Sequence, residues 1–106
     1  MFNPLFATVT TPDIDEQIDE EVTHEELWKI IIHNDNYTSM EFVMYVLIRI
    51  FEKPVIFAEA IMMEAHNNGN AVVDAMEKTE AQRRINKAMF AARLEGYPLK
   101  LTLEPA

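Results

Sequence analysis

The sequence WKIIIHNDNYTSMEFV, residues 28–43, predicts three consecutive structural elements. Its first six residues are mostly β-branched or aromatic and lead into the turn-forming Asn34-Asp35-Asn36, which is typical of a strand followed by a loop. Thr38-Ser39-Met40-Glu41 then has the spacing of a capping box, in which the Thr38 hydroxyl accepts from the amide of Glu41. A strand, a polar loop and a helix are therefore expected in that order.

The helix that begins here is expected to run to about Phe51 and to be covered on two faces. Apolar residues at helical spacing form its core stripe, and Met44, Tyr45 and Ile48 make the opposite face apolar as well. Lys53-Pro54 ends it and opens a second helix, since proline is tolerated in a first helical turn. The predicted core stripe consists of Phe42, Val43, Val46, Leu47, Ile50 and Phe51.

The second half of the chain predicts two more strands and one more helix. The second helix ends at Gly69, where glycine can adopt the left-handed conformation, and residues 70–76 resemble a strand. Thr79-Glu80-Ala81-Gln82 has the pattern of another capping box, which starts a third helix that ends at Gly96. Residues 99–103 alternate apolar and polar side chains, as a strand with one buried face does.

These elements give the order β-α-α-β-α-β and one domain over residues 27–106. Three strands with helices on one side predict a compact two-layer sandwich of the α/β (α+β) class, with a three-stranded antiparallel sheet and three helices.

Negative charge is concentrated in residues 1–26, which we expect to be an acidic and largely disordered extension. The chain of 106 residues has a formal charge of -9, yet residues 1–28 hold eight acids and no Lys or Arg. Ile14, Ile18 and Val22 form only a narrow helical stripe, which is too small to stabilise a helix alone. Two interpretations stay open: a transient helix that becomes ordered on binding, or a solvated extension without a role. The remaining domain is nearly neutral and has no basic face, which argues against nucleic-acid and anionic-membrane partners.

The residue types also argue against several chemistries. The chain has no Cys, and its three histidines lack the i, i+4 spacing of a zinc helix, so no metal, cofactor or thiol nucleophile is expected. Ser39 lacks a glycine elbow, and two glycines are too few for a phosphate loop, so we expect no enzyme. The first residues lack the basic and apolar regions of a signal peptide, which favours a cytoplasmic location.

The polar loop at residues 33–38 is the best candidate for a functional site. It can be a simple strand-to-helix turn, or the rim of a small pocket with amide and carboxylate oxygens above apolar side chains. Such a pocket would suit a ligand with an ammonium group and a hydrophobic body, because Met and Leu side chains line apolar pockets adaptably. His66 is compatible with this site or with a plain histidine at a helix end.

Residues 28–43 strongly resemble the signature of the ClpS family, in which a hydrophobic strand leads to Asn-Asp-Asp-Tyr-Thr-Pro-Met-Glu-Phe-Val. The resemblance continues through residues 65–71 and closes with Gly96-Tyr97-Pro98-Leu99-Lys100-Leu101-Thr102-Leu103-Glu104. It implies a fold similar to the C-terminal domain of the ribosomal stalk protein. It also implies a bacterial adaptor of the Clp protease, monomeric and without catalytic activity.

Members of that family bind the hydrophobic first residue of an N-degron substrate, typically Phe, Tyr, Trp or Leu. They deliver the substrate to an AAA+ unfoldase, ClpA or ClpC, which works with the ClpP peptidase. The resemblance implies that the α-amino group is bound by Asn34, Asp35, Asn36 and His66. It implies a side-chain pocket, which Asp35 also borders, formed by Thr38, Met40, Val43, Met62, Ala65 and Leu99, with Met40 as a gate against β-branched residues.

Three positions depart from the family pattern. Asn36 replaces an Asp, which keeps an acceptor and removes a charge near the expected ammonium group. Ala65 replaces a usual Val and should enlarge the pocket floor in favour of bulkier first residues. The family stretch that contacts the unfoldase is altered over residues 79–84, where the expected interface residues are Thr79, Glu80, Arg83 and Arg84.

An alternative to delivery also follows from these departures. The altered residues 79–84 and the apolar excess at Met44, Tyr45 and Ile48 are compatible with a ClpS-like module that binds peptide or unfoldase without delivering substrates. Such a module would act as a modulator or scaffold.

Overall fold

The computed structural model describes residues 26–106, so the prediction for residues 1–26 lies outside the described residues except at Glu26. The described chain has the predicted order β-α-α-β-α-β. The strands are β1 (Leu27–His33), β2 (Asn70–Glu77) and β3 (Lys100–Pro105). The helices are α1 (Met40–Tyr45, continued by a π-helical turn at Val46–Ile50), α2 (Val55–Asn68) and α3 (Lys78–Leu94).

The sheet has β1 at its centre, antiparallel to β2 on one side and to β3 on the other. A central strand is covered more completely than an edge strand, and Ile30, Ile31 and Ile32 are all buried. Ile30 and Ile32 join the core under the helices, whereas Ile31 lies outside that cluster, as alternation along a strand requires. The predicted three-stranded antiparallel sheet and three-helix sandwich are confirmed.

The core lies between one face of the sheet and the three helices. Val46, Leu47, Ile50 and Phe51 of the predicted stripe are fully buried, while the other two members are half-buried and pack against them. The expectation that the opposite face of α1 is also covered is wrong for Tyr45, whose side chain is 50% exposed. The described helices include none with the length and apolar character of a membrane span.

The start of α1 differs from the capping box expected at Thr38. The N-cap is Ser39, whose Oγ accepts a hydrogen bond from the amide of Phe42 at 3.1 Å. The Thr38 hydroxyl instead donates to the carboxylate of Asp35, a charged acceptor that forms a stronger bond than a backbone group. The helix therefore begins one residue later than predicted.

The second predicted capping box, at Thr79–Gln82, is also wrong. β2 runs directly into α3, so that Glu77 is both the last strand residue and an N-cap with no side-chain hydrogen bond. Thr79 consequently lies within the first turn. The Glu80 side chain, one residue later, binds two arginines of its own helix.

The π-helical turn after α1 was not predicted. The amide of Phe51 donates to the carbonyl of Val46 at 3.1 Å, five residues back instead of four. The wider turn keeps Val46, Leu47, Ile50 and Phe51 on the core side. No local residue pattern marks this turn.

Candidate functional site

A cavity of about 240 Å³ opens where β1 ends, between the polar loop, α1 and the last turns of α2. All ten residues expected to bind an α-amino group or a hydrophobic side chain line this one cavity. Ile32 and His33 line it in addition. Residues that are as many as 67 positions apart in sequence, from Ile32 to Leu99, thus surround a single opening.

The inner wall of the cavity is apolar. Ile32, Ala65 and Leu99 are buried at its floor, and Val43 and Met62 are half-buried along its sides. Met40, which the resemblance makes a gate, lies at the lining with half of its surface exposed. Because the floor carries no charged group, the cavity favours an apolar guest.

The rim of the cavity carries three exposed polar side chains, those of Asn34, Asn36 and His66. None of them forms a hydrogen bond with another residue in the range 26–106. Each asparagine offers a carbonyl oxygen, and a neutral imidazole offers one acceptor nitrogen. The rim therefore has unused hydrogen-bonding capacity directly beside an apolar cavity.

Asp35 is used differently, because its carboxylate binds its own loop. Oδ1 accepts from the amides of Tyr37 and Thr38, both at 2.7 Å, and Oδ2 accepts from the Thr38 hydroxyl at 2.8 Å. Burial raises the pKa of Asp35, but these three bonds together outweigh it and lower the pKa below its usual value. With three acceptor positions occupied, Asp35 primarily holds the shape of the loop, and Thr38 is its partner.

A backbone hydrogen bond joins the loop to the end of α2. The amide of Asn34 donates to the carbonyl of Gly69 at 2.9 Å. Gly69 is the left-handed C-cap of α2, with φ of 95°, a conformation that glycine adopts without a side-chain penalty. The cap was predicted, and the hydrogen bond ties Asn34 to the helix end that carries His66.

Ile32 and His33 were not among the predicted site residues. Alternation along β1 could have identified Ile32, since it shares a face with the buried Ile30 next to the loop. His33 has a partner in β3, because its Nε2 lies 2.8 Å from Thr102 Oγ1. That contact spans 69 residues and has no local signal in the sequence.

The four residues expected to meet an unfoldase are apart from the cavity, in the first two turns of α3. Glu80 bonds to Arg83 and to Arg84, each at 2.7 Å, and the Arg84 Nη1 donates to the carbonyl of Ile50 at 3.3 Å. The hydrogen bonds from Arg83 and then Arg84 lower the pKa of Glu80 to about 2. These charged groups thus already satisfy one another.

Residues 23–102 match the family model described as the ATP-dependent Clp protease adaptor protein ClpS. An ATP-dependent Clp protease adapter protein ClpS from Lawsonia intracellularis is 34% identical over 87 residues, which cover 82% of this chain and 80% of that protein. A protein of the same description from Clostridium acetobutylicum is 40% identical over 78 residues, covering 74% of this chain and 77% of the relative.

A solved structure is also similar, that of Agrobacterium tumefaciens ClpS2 bound to L-phenylalaninamide. It superimposes with a TM-score of 0.74 and 35% identity over 78% of this chain and all of the other. The family match covers well over half of the chain, and both curated relatives exceed 30% identity. The chain therefore belongs to the ClpS family, the adaptor proteins of the ATP-dependent Clp protease.

Proposed function

We propose that this chain is an N-degron adaptor without catalytic activity, which works as a monomer in the cytoplasm. Its cavity binds the hydrophobic first residue of a substrate, Phe, Tyr, Trp or Leu, and the adaptor delivers that substrate to a ClpA- or ClpC-like AAA+ unfoldase coupled to ClpP. One observation carries the proposal: three polar side chains without partners among the described residues border an apolar cavity. The ligand named for the related ClpS2, an amino-acid amide with a free amino group, supports it.

The rim suits a free ammonium group better than any other polar group of a peptide. The side-chain oxygens of Asn34 and Asn36 and a ring nitrogen of His66 supply acceptors, and an N-terminal ammonium supplies three donors. An acetylated terminus or an internal residue offers a single amide donor and would leave acceptors unpaired. Such unsatisfied groups cost roughly 1–3 kcal/mol each when they are buried by the ligand.

The floor of the cavity favours large first residues. Ala65 is buried there and contributes only a methyl group, so it leaves more room than a branched side chain would. A mismatch of this size in an apolar pocket changes preference by roughly 1–3 kcal/mol. We expect Trp and Phe to be favoured over Val as the first residue.

Fluorescence anisotropy with short labelled peptides tests the binding step. Peptides that differ only in the first residue, Phe, Tyr, Trp, Leu or Val, should differ in affinity. Those whose first side chain fills the apolar cavity best should bind most tightly. The same Phe-initiated peptide with an acetylated amino group should bind much more weakly. Equal affinity for the free and the acetylated peptide would rule out recognition of the α-amino group.

Delivery is tested separately, with purified unfoldase, ClpP and a Phe-initiated reporter protein. The full chain should accelerate degradation of the reporter. We expect that deleting residues 2–20 spares peptide affinity and slows degradation, because the acidic extension is handled by the unfoldase in this proposal. A fall in peptide affinity on deletion would contradict the division between extension and domain.

A second candidate is a ClpS-like module that binds peptide or unfoldase without delivering substrates. The mutual pairing of Glu80 with Arg83 and Arg84 favours it, because side chains already bonded within α3 are less available to a partner. Peptide binding without acceleration of degradation would support this candidate and contradict delivery.

A further inference from the structure

A shallow apolar groove lies between α1 and α3, on a different part of α1 from the residues that line the cavity. Phe42, Tyr45, Ala91, Leu94 and Glu95 line it. Tyr45 is 50% exposed and Leu94 71% exposed, and Phe90, one helical turn before Leu94, is 66% exposed. Three large apolar side chains exposed on one surface are more than the scattered single residues that any protein surface carries.

The size of this α3 groove favours a short segment over a second copy of the domain. Fully burying an aromatic side chain removes about 150–250 Å² from water, so the exposed portions of Tyr45, Phe90 and Leu94 together amount to about 300–400 Å². A stable interface between two proteins needs about 800 Å² from each partner.

α3 is also locally basic, which corrects the expectation that the domain has no basic face. It carries five cations and a single carboxylate, that of Glu80. Lys87 is exposed and forms no ion pair with a residue of the described chain, and it lies one turn before Ala91 of the groove. An occupant that extends along α3 from the groove should therefore be acidic. The five cations are Lys78, Arg83, Arg84, Lys87 and Arg93.

The chain itself contains a segment with this chemistry. Residues 13–26 hold eight carboxylates and no cation, and residues 2–9 are uncharged and hold Phe2, Leu5, Phe6 and Val9. This segment enters the domain beside the first turn of α3, because Leu27 pairs with Glu77 and α3 begins at Lys78. From that end the segment would meet the cations of α3 first and the groove last.

The distances allow this arrangement. α3 has 17 residues, so it is about 25 Å long at 1.5 Å per residue. The acidic run of 14 residues can span about 46 Å when extended, at 3.3 Å per residue, and therefore reaches the groove with length to spare. The uncharged residues 2–9 would then lie at the apolar end.

We propose that residues 1–25 fold back along α3, with the acidic run beside its cations and the apolar residues 2–9 on the α3 groove. Charge complementarity sets the direction of the segment, and burial of Phe6 or Leu5 against Tyr45 and Leu94 anchors its end. The segment then covers the same helix that carries the expected unfoldase interface.

Paramagnetic relaxation enhancement in the full chain tests the contact. The chain contains no Cys, so Thr8→Cys gives a single site for a nitroxide label and leaves Leu5 and Phe6 in place. The label should cause loss of amide peak intensity at Tyr45, Phe90 and Leu94, relative to the reduced label. Leu94→Glu should abolish that loss and Lys87→Glu should weaken it; both residues are exposed, so an unchanged thermal melt shows that the fold is intact.

Two results would overturn the proposal. Intact peaks in the groove, or an even loss over the whole surface, would show that the segment does not dock there. Loss that persists when the labelled chain is mixed with an isotopically labelled, nitroxide-free chain would show that the occupant is a second copy. Peptide affinity of the cavity is measured on the same samples, so this outcome is independent of the N-degron proposal.

Discussion

The rim of the cavity and the first turns of α3 both collect polar side chains, but they differ in what those side chains bind. At the rim, the side chains of Asn34 and His66 have no hydrogen-bond partner among the described residues and lie beside an apolar cavity. On α3, Glu80 already bonds to Arg83 and Arg84. Polar density alone therefore does not favour a ligand site, and the proposal for the rim depends on its unused hydrogen-bonding capacity beside an apolar cavity.

Two carboxylates within residues 26–106 have a lowered pKa, Asp35 in the loop and Glu80 on α3, and they extend this comparison. Asp35 is surrounded by amide and hydroxyl donors of its own loop, and it fixes the geometry of the rim. Glu80 is partly exposed and bonds to two arginine side chains of its own helix. In both regions the lowered pKa belongs to a carboxylate that already accepts several hydrogen bonds. Replacing Asp35 and replacing Glu80 should nevertheless change the stability of the protein by different amounts.

The largest effect is expected at the rim. Asn34→Ala and His66→Ala should each weaken binding of a Phe-initiated peptide by about 1–3 kcal/mol, because the ligand ammonium loses one partner. Anisotropy measures the affinity, and the thermal melt should stay cooperative since both side chains are exposed. Asn86→Ala on α3 is the matched control and should leave affinity unchanged. A lost melt for either rim variant would make that residue structural.

The next largest effect on peptide affinity is expected at Ala65, on the floor of the cavity. Ala65→Val should weaken binding of a Trp-initiated peptide more than that of a Leu-initiated one, with a difference of about 1–3 kcal/mol, because added methyl groups crowd the larger side chain. Ala60→Val, at an exposed position of the same helix, controls for general effects of the substitution. Equal losses for both peptides would show that residue 65 does not shape the side-chain pocket.

A smaller effect is expected at Asp35 and should depend on pH. Asp35→Asn replaces charge-assisted bonds with neutral ones and should cost about 1 kcal/mol of stability. Because the folded pKa lies below the unfolded value, Asp35 stabilises the fold above about pH 4 and loses that contribution as the pH falls through the folded pKa. The difference in Tm between the two proteins should therefore be constant near neutral pH and shrink in acid. A difference that grows in acid would contradict this assignment.

The smallest effect is expected on α3. Glu80→Gln removes a partly exposed charge but keeps a side-chain oxygen for the arginines, and Arg84 keeps its bond to the Ile50 carbonyl, so the Tm should change only slightly and the peptide affinity should stay the same. Thermal unfolding and anisotropy at low and high salt measure both quantities. Weaker peptide binding by Glu80→Gln would mean that α3 and the rim are coupled. It would contradict the separation of the two regions drawn above.

Local patterns were sufficient to predict most of the fold. The strand at residues 28–33, the polar loop and the glycine at the end of α2 each depend on a few neighbouring residues, and all three are present. The helix starts were harder, because Thr38 and Ser39 are both suitable caps and the choice depends on Asp35 capturing the Thr38 hydroxyl. The π-helical turn depends on core packing and has no local pattern.

In the candidate site too, some features were predictable from the sequence and others depend on tertiary structure. The resemblance to a known family predicted ten residues that would contact the ligand, and all ten line one cavity. Their individual roles stay predictions. The contact between His33 and Thr102 could not be predicted from the sequence, because it depends on the register of β1 against β3. The occupation of the Asp35 carboxylate by its own loop was equally hidden, because it depends on the path of the backbone.

The hydrogen bond between the Asn34 amide and the Gly69 carbonyl has a kinetic consequence. It joins both halves of the rim in the free protein, so the proposed binding of a peptide would require little ordering of the rim. Association should then resemble lock-and-key encounter, with an observed rate that rises linearly with peptide concentration and reaches no plateau. Differences in affinity among first residues should appear mainly as differences in residence time.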